Sequence, residues 1–247
     1  MSKILGIIPS RLASSRLPNK PMEMVLGIPL IIHVLKRAQQ AKLLDDLIVA
    51  TDSSLIVDLV EKNGGKAMLT SLYHKNGTER MAEVMDKYQY DYYTLINGDE
   101  ILLNPDSIDI SINTLLNSPN ADASILAVPF TRENSPSDFK IVLNCKNEVM
   151  YISRNDIPSS ARNPVDYRLK AYHLMTFKPE VIDAYRKMEK SPLEKIEDHE
   201  HLRLIENCYK IVCQLVNDKC ISLDTPNDIP IIIEYLNSDK VFNTYAR

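Results

Sequence analysis

The chain has 247 residues and a mass of 28.1 kDa, and 29 Lys plus Arg against 33 Asp plus Glu leave a net charge of −4. Hydrophobic residues at 45% and charged residues at 25% are ordinary globular proportions. A chain of this size can bury roughly 70–75% of its unfolded surface, enough for a core without disulfide or metal staples. These values exclude a disordered, collagen-like or coiled-coil chain. They also argue against a nucleic-acid partner, which favours a basic balance.

The apolar run Ile4 to Ile8, ended by Pro9, reads as a buried parallel strand. It is too short for a secretion signal, and no stretch approaches the roughly 20 apolar residues of a membrane span. The expectation is a cytoplasmic protein with no membrane insertion. A polar, basic loop follows over 10–20. Residues 29–39 read as a helix opened by Pro29, with Leu30, Ile31, Val34, Leu35 and Ala38 on one stripe. Leu47 to Ala50 is a second strand. Thr51, Asp52 and Ser53 offer N-cap oxygens to a helix carrying Leu55, Ile56, Leu59 and Val60, and Asn63-Gly64-Gly65 stops it. A short strand at 66–69 precedes a helix at 78–88 with Met81, Val84, Met85 and Tyr88 on one face. Tyr92 to Ile96 is a strand, and a helix near 105–117 closes this half.

Alternating strands and helices predict a parallel sheet covered on both faces, with ligands outside the carboxyl ends of its strands. The basic loop, the Thr51-Asp52 pair and the Asn97–Glu100 turn all fall at such ends, so one crevice is expected to gather them. The second half reads as strands at 123–129, 139–144 and 149–153 (with a turn at 145–147), a polar irregular stretch at 159–167, and a strand at 170–177. Helices at 180–188 and 193–206, strands at 209–216 and 219–223 and a helix at 227–237 complete it. The whole is expected to be one domain, 1–247, with a β-rich insertion. Cys145, Cys208, Cys213 and Cys220 form no C-x-x-C pair, so no zinc knuckle or dithiol site is indicated; they read as buried free thiols. With only 6 glycines in the chain, Gly77 and Gly98 stand out. Each precedes charged residues at an element end, where glycine permits positive φ or close backbone approach.

Three segments carry chemistry. The loop Ser10-Arg11-Leu12-Ala13-Ser14-Ser15-Arg16-Leu17-Pro18-Asn19-Lys20-Pro21 sets three cations on a proline-braced backbone, as a triphosphate requires. Taken alone it also fits a solvated basic loop, because no Walker-type glycine pattern is present. Asn97-Gly98-Asp99-Glu100 places a carboxylate after a buried strand, suited to Mg²⁺ or to an ordinary capped turn. Ser222-Leu223-Asp224-Thr225-Pro226-Asn227-Asp228 places another where a strand gives way to a helix opened by Pro226, suited to metal binding or to simple N-capping. Two carboxylates at strand ends beside a phosphate loop fit metal-assisted nucleotidyl transfer. A dinucleotide-dependent dehydrogenase is disfavoured, since no G-x-G-x-x-G follows the first strand.

With IIPSRLASSRLPNKP at 7–21, VATD at 49–52, GTER at 77–80, NGDE at 97–100, YISRNDIP at 151–158, SPLEKIE at 191–197, EHLR at 200–203 and LDTPND at 223–228, the chain resembles the CMP-Kdo synthetases, the 3-deoxy-manno-octulosonate cytidylyltransferases, over nearly its whole length. The resemblance implies an α/β, Rossmann-like nucleotidyltransferase fold with a central mixed, mostly parallel sheet. It further implies a smaller β-rich part, at about 130–190, that binds the sugar acid and forms a homodimer. It implies CTP and a 2-keto-3-deoxy sugar acid as substrates, a CMP-sugar and pyrophosphate as products, Mg²⁺ as cofactor and a place in lipopolysaccharide biosynthesis. Arg11, Arg16 and Lys20 match the triphosphate-holding positions, with Ser14, Arg80 and Asn97 on the nucleotide side. Asp99 and Asp224 match the metal-binding aspartates. Arg11, Arg16, Lys20, Asp99 and Asp224 are thus the implied catalytic set. Lys140 and Arg154 match basic residues on the sugar-acid side, where His173, Glu200 and His201 also fall.

The chain departs from the family pattern in places. Asn97 and Ile101 stand where the family has Gln and Pro, and His201 where it has Gln. The family histidine near 168–178 falls on Ala171, with His173 two residues on. The nucleotide half therefore reads as intact, while the acceptor reads as Kdo or a relative such as an amino-substituted Kdo. The alternatives are a cytidylyltransferase for a different acid and a catalytically inactive nucleotide-binding homologue.

Overall fold

A computed structural model describes residues 2–13 and 17–246. The chain divides into two compact units, one formed by Met1–Asp109 with Lys219–Arg247 and the other by Ile110–Asp218. No helix among the described residues is long and apolar enough to cross a membrane.

In the first unit, four parallel strands form a sheet in the order β6 (Tyr92–Ile96), β1 (Ile4–Ser10), β4 (Asp46–Thr51), β5 (Lys66–Leu69). Ile7 is level with Leu95, and Ser10 with Thr51, so the carboxyl ends of β1, β4 and β6 share one edge. Leu5, Ile7 and Ile8 are fully buried, which explains why β1 is apolar without alternation. Between the strands run α1 (Leu30–Ala38), α2 (Ser54–Lys62) and α3 (Gly77–Lys87). α2 ends as expected at Asn63, with Gly64 at φ 74. Only Ile56 and Val60 of its expected stripe are buried, and Leu55 faces solvent.

α1 is buried on more than one stripe, because the C-terminal segment covers its second face. The Tyr245 hydroxyl lies 3.0 Å from His33 Nδ1, and Arg37 pairs with Asp239 at 2.9 Å and donates to the Leu103 carbonyl at 3.0 Å. Pro29 is the N-cap of this helix rather than its first residue; it belongs to a small hairpin of β2 (Met24–Val25) and β3 (Ile28–Pro29).

α4 (Pro105–Leu116) carries the chain into the second unit, where the strand order is β11 (Ile211–Leu215), β7 (Ala123–Phe130), β10 (Arg168–Phe177), β8 (Lys140–Leu143), β9 (Val149–Ser153). β11 runs parallel to β7 and the remaining pairs are antiparallel, so this sheet is mixed. The 145–147 turn forms as expected, closed by the Asn144 side chain accepting from the N–H groups of Lys146 and Glu148. α5 (Pro179–Tyr185) ends three residues earlier than the expected 188.

Four expectations are corrected here. The helix expected over 193–206 is two short ones, α6 (Pro192–Glu197) and α7 (Leu202–Glu206), because Asp198 turns left-handed at φ 51. Residues 219–223 form no strand; the Leu223 N–H instead donates to the Asp99 carbonyl at 3.0 Å. Pro226 does not open the last helix, α8 (Asp228–Leu236), whose first residue Asp228 accepts from the N–H groups of Asp224 and Thr225. Cys213 and Cys220 are buried free thiols, but Cys145 and Cys208 are exposed, one in the 145–147 turn and the other at φ 64 just past α7.

α6 and α7 are joined by an ion pair buried on both sides. Arg203 grips Glu194 through two contacts of 2.6 and 2.7 Å, with its guanidinium 4.1 Å from the Tyr185 ring centre. Removing one partner strands a buried charge, so Arg203→Ala is expected to lower unfolding free energy by about 3–5 kcal/mol, read as a shift in urea midpoint at unchanged slope.

Candidate active site

At the shared strand edge of the first unit, the chain after β1 is anchored by the buried side chain of Leu17 and a 3₁₀ turn at Lys20–Met22, entered through Asn19 at φ 55. This turn aims the Lys20 ammonium at Asp99 Oδ2 and Asp224 Oδ1, at 2.8 Å each. Burial acts to lower the Lys20 pKa, but the two carboxylates outweigh it and hold the group above its ordinary value. Asp99 is offered by the turn after β6, where the Glu100 N–H donates to the Asn97 carbonyl. Gly98 lies so near β1 that a Cβ there would stand 2.8 Å from the Pro9 carbonyl oxygen, so its small size serves a close approach of backbone to backbone. Gly77 opens α3 directly after the N-cap Asn76, whose side chain accepts from the Glu79 N–H.

Asp224 reaches the same point by two links. The Leu223–Asp99 backbone bond lays its segment alongside the turn, and buried Glu100 accepts from the Ser222 hydroxyl at 2.8 Å. Asp228 takes the Asp224 N–H, leaving the Asp224 carboxylate directed at Lys20.

The expected gathering of three loops is therefore present in this unit. The Leu12 N–H donates to Asp52 Oδ1 at 3.3 Å, and Arg80 pairs with Asp52 Oδ2 at 3.2 Å while donating to Thr70. Asp52 thus ties the basic loop to α3 and makes no helix cap; Thr51 Oγ1 accepts the Ser53 N–H instead. Arg80 is buried in this network, whereas Arg11 is exposed. Ser14 and Arg16 lie outside the described residues.

Among the described residues, no group of three or more His, Cys, Asp or Glu side chains makes a ready metal cage. Mg²⁺ needs none, since it takes one or two carboxylates and completes its shell with waters and phosphates. Asp99 and Asp224 fit that donor set, with a cation already seated between them.

The sugar-side candidates all fall in the second unit. Lys140 is fully buried, its ammonium donating to the carbonyls of Ser135, Asp138 and Arg154 at 2.6–2.8 Å. Arg154 follows β9. It donates from its backbone N–H and Nε to Glu197 at 2.8 Å and lies 4.3 Å over the Phe139 ring centre. Burial would raise the Glu197 carboxyl, but hydrogen bonds from Ser153, the Arg154 N–H and Tyr151 hold it below the usual range. His173 sits where β10 shifts register against β7, a β-bulge that re-aims its side chain. Its Nε2 is 3.1 Å from His199 Nε2, and His199 packs between Phe139 and His201. Glu200 lies 3.7 Å from His201 Nε2.

Sequence reading missed His199 and Phe139, whose role depends on the bulge, and the bracing by Glu100, Asp228 and Glu197. For Glu100 and Glu197 the only signal was their place inside the NGDE and SPLEKIE segments.

A family model described as cytidylyltransferase matches residues 5–211, which sets the class of protein this fold and strand-edge site define. Among the relatives is the 3-deoxy-manno-octulosonate cytidylyltransferase of Protochlamydia amoebophila, 35% identical and aligned over 97% of this chain and 96% of its own. The enzyme of the same name from Fusobacterium nucleatum is also 35% identical, over 97% of this chain and 99% of its own. A solved CMP:2-keto-3-deoxy-manno-octonic acid synthetase in complex with CTP superposes with a TM-score of 0.91 at 30% identity, covering 96% of this chain and 99% of that one. The chain belongs to the CMP-Kdo synthetase family of cytidylyltransferases, with its α/β, Rossmann-like nucleotidyltransferase fold.

The histidine cluster makes an acid-side prediction. Burial, with His173 adding, pushes His201 down to about 3 from 6.5, and burial followed by His201, His173 and Arg154 holds His199 well below its ordinary value. In the unfolded chain both bind protons near 6.5, so stability present at neutral pH should fall as pH drops from about 6.5 toward about 3. His201→Gln is expected to flatten that fall, measured as unfolding midpoints at successive pH values.

Proposed function

We propose that the protein joins CTP to a 2-keto-3-deoxy sugar acid, 3-deoxy-manno-octulosonate or a close relative, giving the CMP-sugar and pyrophosphate. The convergence of Lys20, Asp99 and Asp224 at the strand edge carries this reading, in a chain that aligns along 96% of its length with a CTP-bound synthetase.

In this reaction the anomeric hydroxyl oxygen of the acid bonds to the α-phosphorus, the bridge to the β-phosphate breaks, and the hydroxyl proton is released. Phosphoryl-type transfer of this kind depends mainly on positioning and charge stabilisation. Lys20, Arg11 and Arg16 bind the triphosphate and neutralise charge on the departing pyrophosphate. Arg80 acts through Asp52, which fixes the Leu12 backbone and hence the loop that carries Arg11 and Arg16. Ser14 and Asn97 complete the nucleotide side. Asp99 and Asp224 would hold Mg²⁺, which when bound polarises phosphate oxygens and acidifies a hydroxyl near it.

On the acceptor side, Arg154 offers a guanidinium half exposed and braced by Glu197. Lys140 braces the loop carbonyls around it. His173, Glu200 and His201 shape the acceptor side, where Ala171 replaces the family histidine. Ala171 is fully buried, and its methyl group offers an acceptor no ring nitrogen. This favours an acceptor that differs from Kdo where the family histidine would lie, an amino-substituted Kdo among the candidates. The four free thiols suit a reducing cytoplasm, and the β-rich unit is the part we assign to a homodimer interface.

Pyrophosphate release is the test, measured with CTP and Mg²⁺ across Kdo, 8-amino-Kdo and several nonulosonic acids. Release that requires both CTP and one of the 2-keto-3-deoxy acids is expected, and Asp99→Ala should lower it by about a hundredfold to a thousandfold. Silence across the panel, or release that ignores the acid, would overturn the reading.

A further inference from the structure

The most distinctive feature of the strand-edge site is that its cation is part of the chain. Lys20 Nζ lies 2.8 Å from a carboxylate oxygen of Asp99 and 2.8 Å from one of Asp224, largely shielded from solvent. An ammonium nitrogen approaches a carboxylate oxygen at about 2.8 Å, whereas Mg²⁺ sits at about 2.0–2.1 Å from its oxygens. The two aspartates thus already converge on one cation, at ammonium rather than metal distances.

We infer that Lys20 is an internal placeholder for the divalent cation: its ammonium occupies the Asp99–Asp224 site before substrate arrives and must leave for the metal to enter. This rests on the reading of Asp99 and Asp224 as the metal ligands and goes beyond the triphosphate role of Lys20. Two carboxylates facing each other with no cation would repel, so the lysine keeps the empty site assembled. A divalent ion, in turn, meets a positive charge on the very oxygens it needs.

The displacement needs no backbone change. The Lys20 N–H donates to the Leu17 carbonyl, Pro21 follows it and Asn19 fixes the entry to the turn. The four-carbon stem is the part free to swing. A nucleoside triphosphate, with its several negative oxygens, is the ligand that can draw the ammonium away. Nucleotide and metal then bind with positive coupling, and by linkage each tightens the other. The free site stays closed to divalent cations until the triphosphate is present.

The test is a Mn²⁺ titration of the full chain without nucleotide, following free Mn²⁺ by electron paramagnetic resonance. Charge-assisted contacts of this kind correspond to about a tenfold to hundredfold change in affinity. Lys20→Met is expected to bind one Mn²⁺ tighter than the wild type by that factor, and Lys20→Gln to repeat the result should the methionine variant fold poorly. Lys20→Arg, which keeps the charge, should stay weak. Saturating CTP should shrink the gap between wild type and Lys20→Met.

Adding Asp99→Asn to Lys20→Met should abolish the gain. Equal Mn²⁺ affinity in wild type and both neutral variants, with Asp99→Asn still weakening it, would overturn the placeholder while leaving the metal site in place. Mn²⁺ binding indifferent to Asp99→Asn would overturn the metal assignment, and the placeholder with it.

Discussion

One ammonium group holds together parts of the chain that are 79 and 204 residues apart: Lys20 bonds Asp99 and Asp224, each at 2.8 Å. Each of the three sits at the end of a short, tightly specified segment. The 3₁₀ turn carries Lys20, the turn after β6 carries Asp99, and the stretch bonded back to Asp99 and Glu100 carries Asp224. Because β1, β4 and β6 are parallel and in register, their ends deliver the basic loop, Asp52 and Asp99 to one edge. The neighbouring polar groups mostly serve this arrangement. Asp228 accepts from the N–H groups of Asp224 and Thr225 and so fixes the segment that carries Asp224, and Arg80 locks Asp52 against the loop.

The second unit solves a different problem, that of keeping cations in place on a strand-rich frame. Lys140 and Arg154 are bound to carbonyl oxygens and to Glu197, an arrangement in which each side chain has few alternatives. The histidines and Phe139 form a packed aromatic layer, in which burial holds His199 and His201 below their ordinary pKa. Of the departures from the family pattern, Ala171 and His201 fall in this unit and Asn97 and Ile101 in the first, where Lys20, Asp99 and Asp224 are retained.

Much of this was legible in the residues. The unbroken apolar run of β1 marks a strand buried on both faces, and Gly64 marks the end of α2 through its positive φ. The motif segments, read in order, pointed to the family and to both aspartates. The misreadings share a cause. The periodic pattern over 193–206 is real, but one left-handed residue, Asp198, breaks it, and no side chain there announces the turn. The apolar stretch near 219–223 has strand composition, yet it spends its hydrogen bonds on the Asp99 turn instead of a ladder.

The sequence by itself determined the alternation of strand and helix, the class of chemistry and the identity of the charged groups, because these depend on local pattern and residue type. Only the tertiary structure decided which of those groups meet. His33 and Arg37 are buried because the C-terminal segment returns over α1. Asp52 is a brace rather than a cap because Arg80 arrives from α3. His173 meets His199 because β10 bulges. Lys20 rests between two aspartates because three distant turns end at the same edge. A contact between remote segments is a property of the packed chain, and no local pattern encodes it.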